Sequence, residues 1–289
     1  MKVSYYPGCS LLGTAKEYDQ STRAVCSTLG IELEELEDWN CCGATSAHST
    51  DDFLSLALPA RNLSLADEKG MDLIVPCAAC FQRLKVAEKK LLEKPLPDFP
   101  YEGKSKVRHL LDLLSEEEVL EQIKEKIRKP LSGLRVACYY GCLVMRPPKI
   151  TDAADYEDPQ SMDKLMKLAG AQSVSWSYKT DCCGGSLVLT RPDVVRRLIR
   201  RLLDMALEAG AECLVTCCPM CQGNLDTRQR ELSEETGKDY HVPVFYFTEL
   251  LGLALDLPQA DDWLKHHLVN PKSLLAAKGL SEVRGGGFR

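Results

Sequence analysis

No stretch of about 20 apolar residues occurs in the chain, so the sequence offers nothing to span a membrane as a helix. No apolar leader is present either. The chain opens Met1-Lys2-Val3-Ser4-Tyr5-Tyr6-Pro7-Gly8-Cys9. That reads at once as a strand and a turn, and it predicts a cytoplasmic protein. Positive charge is not in excess: the net charge is −6, which argues against a nucleic-acid binder. No Gly-x-Gly-x-x-Gly run opens a helix, so electrons must arrive from another protein. The close run Cys-x2-Cys-x2-Cys-x3-Cys of ordinary iron–sulfur cubanes is missing as well.

What is present in quantity is cysteine, 14 of 289 residues. The hydrophobic fraction of 45% and the charged fraction of 27% are those of a soluble globular protein. The length suffices for two domains, each burying a core. Disulfide frameworks belong to small secreted domains, so a long cytoplasmic chain this rich in cysteine points to metal binding or redox chemistry.

The cysteines repeat. Cys9, Cys41-Cys42-Gly43 and Cys77-x2-Cys80 in the first half answer to Cys142, Cys182-Cys183-Gly184 and Cys218-x2-Cys221 in the second. In both halves 35 positions lead from the second cysteine of the pair to the next motif (77 − 42 and 218 − 183). The first interval differs by 8 (41 − 9 against 182 − 142). The insertion is expected at Arg146-Pro147-Pro148 and in the polar run 151–160. Flanking segments repeat too. Tyr5-Tyr6-Pro7-Gly8-Cys9 answers to Cys138-Tyr139-Tyr140-Gly141-Cys142, and residues 68–75 to 208–215.

Strands are expected at Val3–Tyr6, Leu73–Val75 and Leu134–Ala137. A helix is expected from Asp51 to Lys69, with Leu54, Leu58 and Leu65 on one face. Its counterpart is expected to start at a Thr190 cap with Asp193 reaching back, and to carry a stripe of Val194, Leu198, Leu202 and Met205. The fold class is α/β: two pseudo-symmetric half-domains, each a small mostly parallel sheet flanked by helices. The boundary falls near Lys129–Gly133, giving domains 1–131 and 132–289, with a flexible tail at Gly285-Gly286-Gly287. The cysteines then lie at strand ends and strand-to-helix turns, where ligands collect in open α/β sheets.

Thiolate suits zinc, copper(I) and iron–sulfur clusters. Structural zinc takes four ligands in a tetrahedron. Five cysteines per repeat exceed that, and adjacent Cys-Cys pairs suit a larger object with several metal atoms. The Cys-x2-Cys pairs could form a thioredoxin-like dithiol, but each is locked to an upstream Cys-Cys-Gly, which favours cluster ligation. Outside the repeat, Cys26 and Cys213 read as small buried hydrophobes. Cys138 and Cys217 adjoin motif residues.

The doubled pattern Cys-x31-Cys-Cys-Gly-x33-Cys-x2-Cys, with its insertion in the second copy, resembles the cysteine-rich CCG domain family. Within it the chain is most similar to the HdrB subunits of heterodisulfide reductases, over about residues 3–255. The resemblance implies two noncubane [4Fe-4S] clusters. Cys9, Cys41, Cys42, Cys77 and Cys80 would hold one; Cys142, Cys182, Cys183, Cys218 and Cys221 would hold the other. It implies cleavage or formation of a disulfide such as that of coenzyme M and coenzyme B, placed between the clusters, with each cluster supplying one electron. It implies two partners, a ferredoxin-like iron–sulfur subunit (HdrC-like) and a flavin-containing subunit (HdrA-like).

Further candidates carry less. His48 could give a proton to a leaving thiolate; a surface or capping histidine is the plainer account. Lys179, beside Asp181, could attract an anionic substrate; a solvated loop charge is the plainer account. Arg196, Arg197, Arg200 and Arg201 form a basic helix face, by default solvated. The alternative function is an electron-transfer iron–sulfur subunit whose partner does the chemistry, and the third is a structural zinc protein.

Overall fold

The computed structural model describes residues 1–44 and 47–280; the expected glycine tail at 285–287 lies outside them. The first half holds β1 (Lys2–Tyr5), β2 (Glu32–Glu35), β3 (Leu73–Val75) and β4 (Val107–His109). The second holds β5 (Arg135–Tyr139), β6 (Gln172–Ser173), β7 (Cys213–Thr216) and β8 (Val244–Tyr246). The sheets have the same order, β2-β1-β3-β4 and β6-β5-β7-β8. Every pairing is parallel, with Tyr5 opposite Ile74 in one sheet and Cys138 opposite Val215 in the other.

Parallel neighbours need crossovers, and helices supply them. In the first half these are Lys16–Thr28, Asp52–Lys69 and Ala78–Glu93. In the second they are Ser161–Leu168, Pro192–Glu208 and Pro219–Thr227, the last followed by Gln229–Thr236. Helices on the faces leave the inner strands dry, so β3 (Leu-Ile-Val) and β7 (Cys-Leu-Val-Thr) are buried at every position.

Helix Asp52–Lys69 begins because the Asp51 carboxylate accepts the Leu54 N–H at 2.6 Å. It ends at Gly70, which takes the left-handed turn (φ 64°). The buried face is not the expected leucine stripe. Leu54 is exposed, and Leu58 and Leu65 are half-buried. Ala57, Ala60, Leu63 and Ala66 face inward, small residues that let this helix lie close against Ala78–Glu93. The Thr190 cap is likewise corrected. The equivalent helix starts at Pro192 after Arg191 and has no side-chain cap; Asp193 pairs with the Arg191 guanidinium at 2.9 Å. Its buried stripe is Val195, Ile199, Leu202, Leu203 and Ala206: Leu202 is where it was expected, while Val194, Leu198 and Met205 give way to the residues one position on. Both rows of this helix are apolar, and tertiary contact decides which becomes the centre of the face.

One apolar cluster runs through both halves, from Val3 to Leu280. The joint is reciprocal. Helix Lys16–Thr28 of the first half packs on Phe247–Ala254 and Ala260–Trp263 of the second. Helix Ser161–Leu168 of the second packs on Leu110–Leu114 and Glu117–Lys126 of the first. At the first joint Tyr18 stacks on Tyr246, with centroids 4.1 Å apart and rings 2° from parallel, and Ser21 Oγ meets Thr248 Oγ1 at 2.7 Å. The region expected to hold the insertion also ties the halves: buried Lys85 reaches Glu88 at 2.6 Å and Asp152 at 3.0 Å.

Candidate functional site

Each cysteine set is assembled from three places in a half-sheet. Cys9 lies in the short helix Gly8–Leu12 after β1, and Cys142 just after β5. The Cys-Cys pairs precede Gly43 (φ 74°) and Gly184 (φ 78°), where left-handed backbone turns the chain. Cys77 and Cys218 are the N-cap residues of helices Ala78–Glu93 and Pro219–Thr227, and Cys80 and Cys221 sit in the first turns.

In the first set Cys9 and Cys41 Sγ stand 3.8 Å apart, and Cys42 and Cys80 Sγ 3.3 Å. In the second, Cys183 and Cys221 Sγ are 3.6 Å apart, and the Cys142 and Cys182 thiols act on each other's titration. The sets adjoin: Cys77 is acted on both by Cys80 and, across the halves, by Cys218. Crowding splits the thiols. The neighbouring Cys41 and Cys80 sulfurs push the Cys42 pKa down to about 3. Cys182, beside Cys142, falls to about 6, and Cys218, beside Cys221 and Cys77, also falls. Cys80 and Cys221 are pushed up by the sulfurs around them. Thiolate is the form that binds metal.

The backbone leaves room for a bulky sulfur-bound group. A Cβ on Gly8 would stand 2.9 Å from Cys80 Sγ, and one on Gly141 would stand 3.0 Å from Cys221 Sγ. Two buried polar atoms nearby lack partners. The Asn224 amide donates to the Cys183 carbonyl at 2.7 Å and leaves Oδ1 unpaired. His109 Nδ1 accepts the Leu111 N–H at 3.1 Å, which puts the ring proton on the unpaired Nε2. Five thiolates per set, a glycine at the tightest contact and orphaned polar atoms at the edge fit an iron–sulfur cluster. Among the described residues no group of three or more His, Cys, Asp or Glu is arranged to hold a single metal ion.

Two tyrosines that no motif singles out, Tyr6 and Tyr139, are central to the scaffold. Tyr6 Oη donates to the Asn40 carbonyl at 2.8 Å, and Tyr139 Oη to the Asp181 carbonyl at 2.7 Å. Each carbonyl immediately precedes a Cys-Cys pair. Each tyrosine also lies edge-on or tilted against a tryptophan, Trp39 or Trp176. Their one signal in the sequence is their place in the repeated flank. Tyr18 works at the seam, its Oη within 3.2 Å of the Pro76 carbonyl and 3.3 Å of the Cys217 carbonyl.

Between the halves lies a cavity of about 220 Å³, walled by the second cysteine set (Cys142, Cys182, Cys183, Cys218 and Cys221) and, from the first half, by the start of helix Ala78–Glu93. His48 lies on its rim, exposed. Lys179 is elsewhere: buried, it meets Asp158 at 2.9 Å, Asp163 at 3.3 Å and the Pro159 carbonyl at 3.1 Å. Its charge is used inside the fold, and it is neither substrate-facing nor a solvated loop charge. The basic helix face is also compensated. Arg196 pairs with Glu231 and Glu235, Arg197 with Asp193 and Arg200 with Asp204, while Arg201 lies over Tyr178. Cys26, Cys138, Cys213 and Cys217 are fully buried, and Cys217 Sγ lies 3.8 Å from the Tyr140 carbonyl.

Among the described residues no helix is long and apolar enough to cross a membrane. The family model of the cysteine-rich CCG domain matches the chain twice, over residues 3–85 and 136–226. The 8-methylmenaquinol:fumarate reductase membrane anchor subunit of Wolinella succinogenes is 33% identical, over 94% of this chain and 99% of its own. The HdrB subunit of the ferredoxin:CoB–CoM heterodisulfide reductase of Methanosarcina mazei is 32% identical, over 88% and 89%. A solved hypothetical protein from Helicobacter pylori shares the fold, with a TM-score of 0.73 at 14% identity, over 93% of this chain and 52% of its own.

Proposed function

This chain belongs to the cysteine-rich CCG domain family, and on that premise we propose that it is the disulfide-cleaving subunit of a heterodisulfide reductase-like complex. The observation that carries the reading is that both repeats keep all five cysteines, with Cys77 of one set and Cys218 of the other close enough to act on each other across the halves. A retired site would have lost a ligand.

Cys9, Cys41, Cys42, Cys77 and Cys80 would hold one noncubane [4Fe-4S] cluster, and Cys142, Cys182, Cys183, Cys218 and Cys221 the other. When bound, the clusters would supply one electron each and an iron open to sulfur. Cleavage takes R–S–S–R′ with two electrons and two protons to RSH and R′SH. The chain supplies the rest. The cavity walled by the second cysteine set would take that cluster, and the start of helix Ala78–Glu93 would face a small sulfur compound bound at it. Tyr6 and Tyr139 fix the loops that carry the cysteine pairs. His48, on the rim, is placed to hand a proton to a departing thiolate. Electrons would come through a ferredoxin-like iron–sulfur subunit from a flavin-containing one.

The test is iron, acid-labile sulfide and zinc per chain on protein purified without oxygen, followed by reoxidation of the reduced protein with disulfides. About eight irons and eight sulfides are expected, with reoxidation that depends on the disulfide. Stoichiometric zinc without sulfide would end the redox reading.

A second reading is supported by the Wolinella succinogenes relative, a subunit of a quinol-linked reductase. Here the clusters would only pass electrons to a partner. Reoxidation by a quinone-linked partner and by no disulfide would select it.

A further inference from the structure

Equivalent surfaces of the two halves are covered to different extents. In the second half the chain beyond Phe247–Ala254 folds back on itself at three anchors. The Leu268 and Val269 N–H groups donate to the buried Asp226 carboxylate at 2.7 and 3.0 Å. His267 Nε2 meets Glu249 at 2.9 Å. The Trp263 ring lies so close on Gly252 that a Cβ there would stand 2.4 Å from it. The repeat sets Asp226, Glu249 and Gly252 against Lys85, Asp112 and Ser115: five residues after Cys221 and Cys80, then three and six after Tyr246 and His109.

In the first half this closure stops short. Past Glu117–Lys126 the chain leaves for the second half, where the Arg128 and Lys129 N–H groups donate to the Ala254 carbonyl at 2.9 Å. The insertion covers one anchor, with Asp152 meeting Lys85 at 3.0 Å. The other two stay open. The Asp112 carboxylate receives the His109 N–H at 3.3 Å and, among the described residues, no cation; Ser115 Oγ has no hydrogen-bond partner. What is left is a cleft of about 490 Å³ whose lining contains none of the motif cysteines. Phe81, Leu120, Val144 and Met145 form its apolar part. Of its cations, Lys85 and Arg108 are already paired, which leaves Lys164. Its carboxylates Asp112, Glu117 and Asp155 are exposed and form no ion pair among the described residues. The unbalanced charge of the cleft is negative.

We propose that this cleft is the docking site for a basic segment of a partner polypeptide, which brings to Asp112 the cation that His267 brings to Glu249. The inference rests on the reading of the chain as one subunit of a complex and on nothing about the disulfide. The occupant is a polypeptide because a polypeptide closes the equivalent surface of the second half, and because apolar side chains lie beside the acids. Charge complementarity then selects a basic segment. Phe81 directly follows Cys80, and Met145 lies three residues after Cys142. A segment docked here therefore rests on elements that carry both cysteine sets.

The test uses the full chain purified without oxygen and three blocked, dye-labelled octapeptides in which alanine and leucine flank two lysines, two glutamines or two glutamates. Binding is read by fluorescence anisotropy. The lysine peptide is expected to half-saturate at a concentration about tenfold below that of the glutamine peptide, since each exposed ion pair contributes up to about fivefold. The glutamate peptide is expected to bind weakest. Asp112→Asn combined with Glu117→Gln is expected to abolish the preference and keep the wild-type iron content; Asp155→Asn alone is expected to remove part of it. Glu118→Gln, on the same helix as Glu117 but outside the cleft, is expected to keep it whole. Equal binding of the three peptides would overturn the proposal, as would a preference that survives the double variant. Three further results would each give the cleft to another occupant and overturn it: displacement of the lysine peptide by equimolar spermine (a small polycation), self-association of the chain that the double variant disrupts (a second copy), or tighter peptide binding by a chain ending at Leu280 (its own end). If the preference holds but disulfides never reoxidise the reduced protein, the reductase reading fails and the docking site stands. If disulfides reoxidise it and no preference is found, the docking site fails and the reductase reading stands.

Discussion

Cys77 and Cys218, the N-cap residues of equivalent helices in the two halves, lie close enough across the seam for each thiol to shift the other's titration. Each is also acted on by the cysteine three positions on in its own repeat. With Cys42 Sγ 3.3 Å from Cys80 and Cys183 Sγ 3.6 Å from Cys221, the two sets lie side by side. Two metal groups held on these sets would be electronic neighbours, as a two-electron reaction at two one-electron centres requires.

The glycines beside the sulfurs give the most direct test of occupancy. Gly8→Ala and Gly141→Ala each place a methyl about 3 Å from a motif sulfur, in backbone that favours glycine. Each variant is expected to lose about half the iron and sulfide of the wild type, since each touches one set. Equal loss of both clusters in either variant would show that the sets do not load independently.

Removing the loop-holding hydroxyls should separate two similar residues. The Asn40 carbonyl also receives Asn62 Nδ2 at 2.8 Å, so Tyr6→Phe leaves it paired. Among the described residues the Asp181 carbonyl has no donor besides Tyr139. Tyr6→Phe is expected to cost about 1 kcal/mol and Tyr139→Phe about 2 kcal/mol in urea unfolding, with shifted cluster spectra and unchanged iron.

Cys217 and Cys218 are adjacent but should behave oppositely. Cys217 points into the core toward the Tyr140 carbonyl. Cys217→Ala should keep full iron and lose about 1–2 kcal/mol of stability, the cost of deleting a small buried side chain. Cys218→Ala should lose iron from the second set. Metal analysis of the pair decides.

Stability should fall as pH rises through the neutral range. Burial opposes the charge on His267, but the buried Glu249 carboxylate 2.9 Å away outweighs it and raises the histidine to about 9. The folded value lies above the ordinary 6.5, so the contribution is complete below pH 6.5 and disappears as pH climbs through 9. It is on the order of 3 kcal/mol. Urea midpoints from pH 6 to 9.5 should decline in the wild type and flatten in His267→Gln. A parallel decline in both would assign the slope to other groups.

How much of this can be read from the residues alone depends on locality. The β1 and β3 strand ends are legible because short β-branched and apolar runs stop just before Pro, whereas β5 runs two residues past the expected Ala137, to Tyr139. The like order of the two sheets follows from the repeat. The phase of Pro192–Glu208 is not legible, because Val194-Val195 and Leu198-Ile199 offer two apolar rows and only the packed neighbours choose between them. The role of Lys179 is invisible in the sequence, since Asp158 and Asp163 reach it through a turn of the insertion.

The reciprocal packing of Lys16–Thr28 and Ser161–Leu168, each on the helices that follow the last strand of the other half, has a consequence for symmetry. A contact made twice with the roles of the halves exchanged is the isologous contact of a two-fold dimer. The chain has the form of such a dimer within one polypeptide, and its two halves are free to carry different side chains at equivalent positions, as Arg83 and Asn224 do three residues after Cys80 and Cys221.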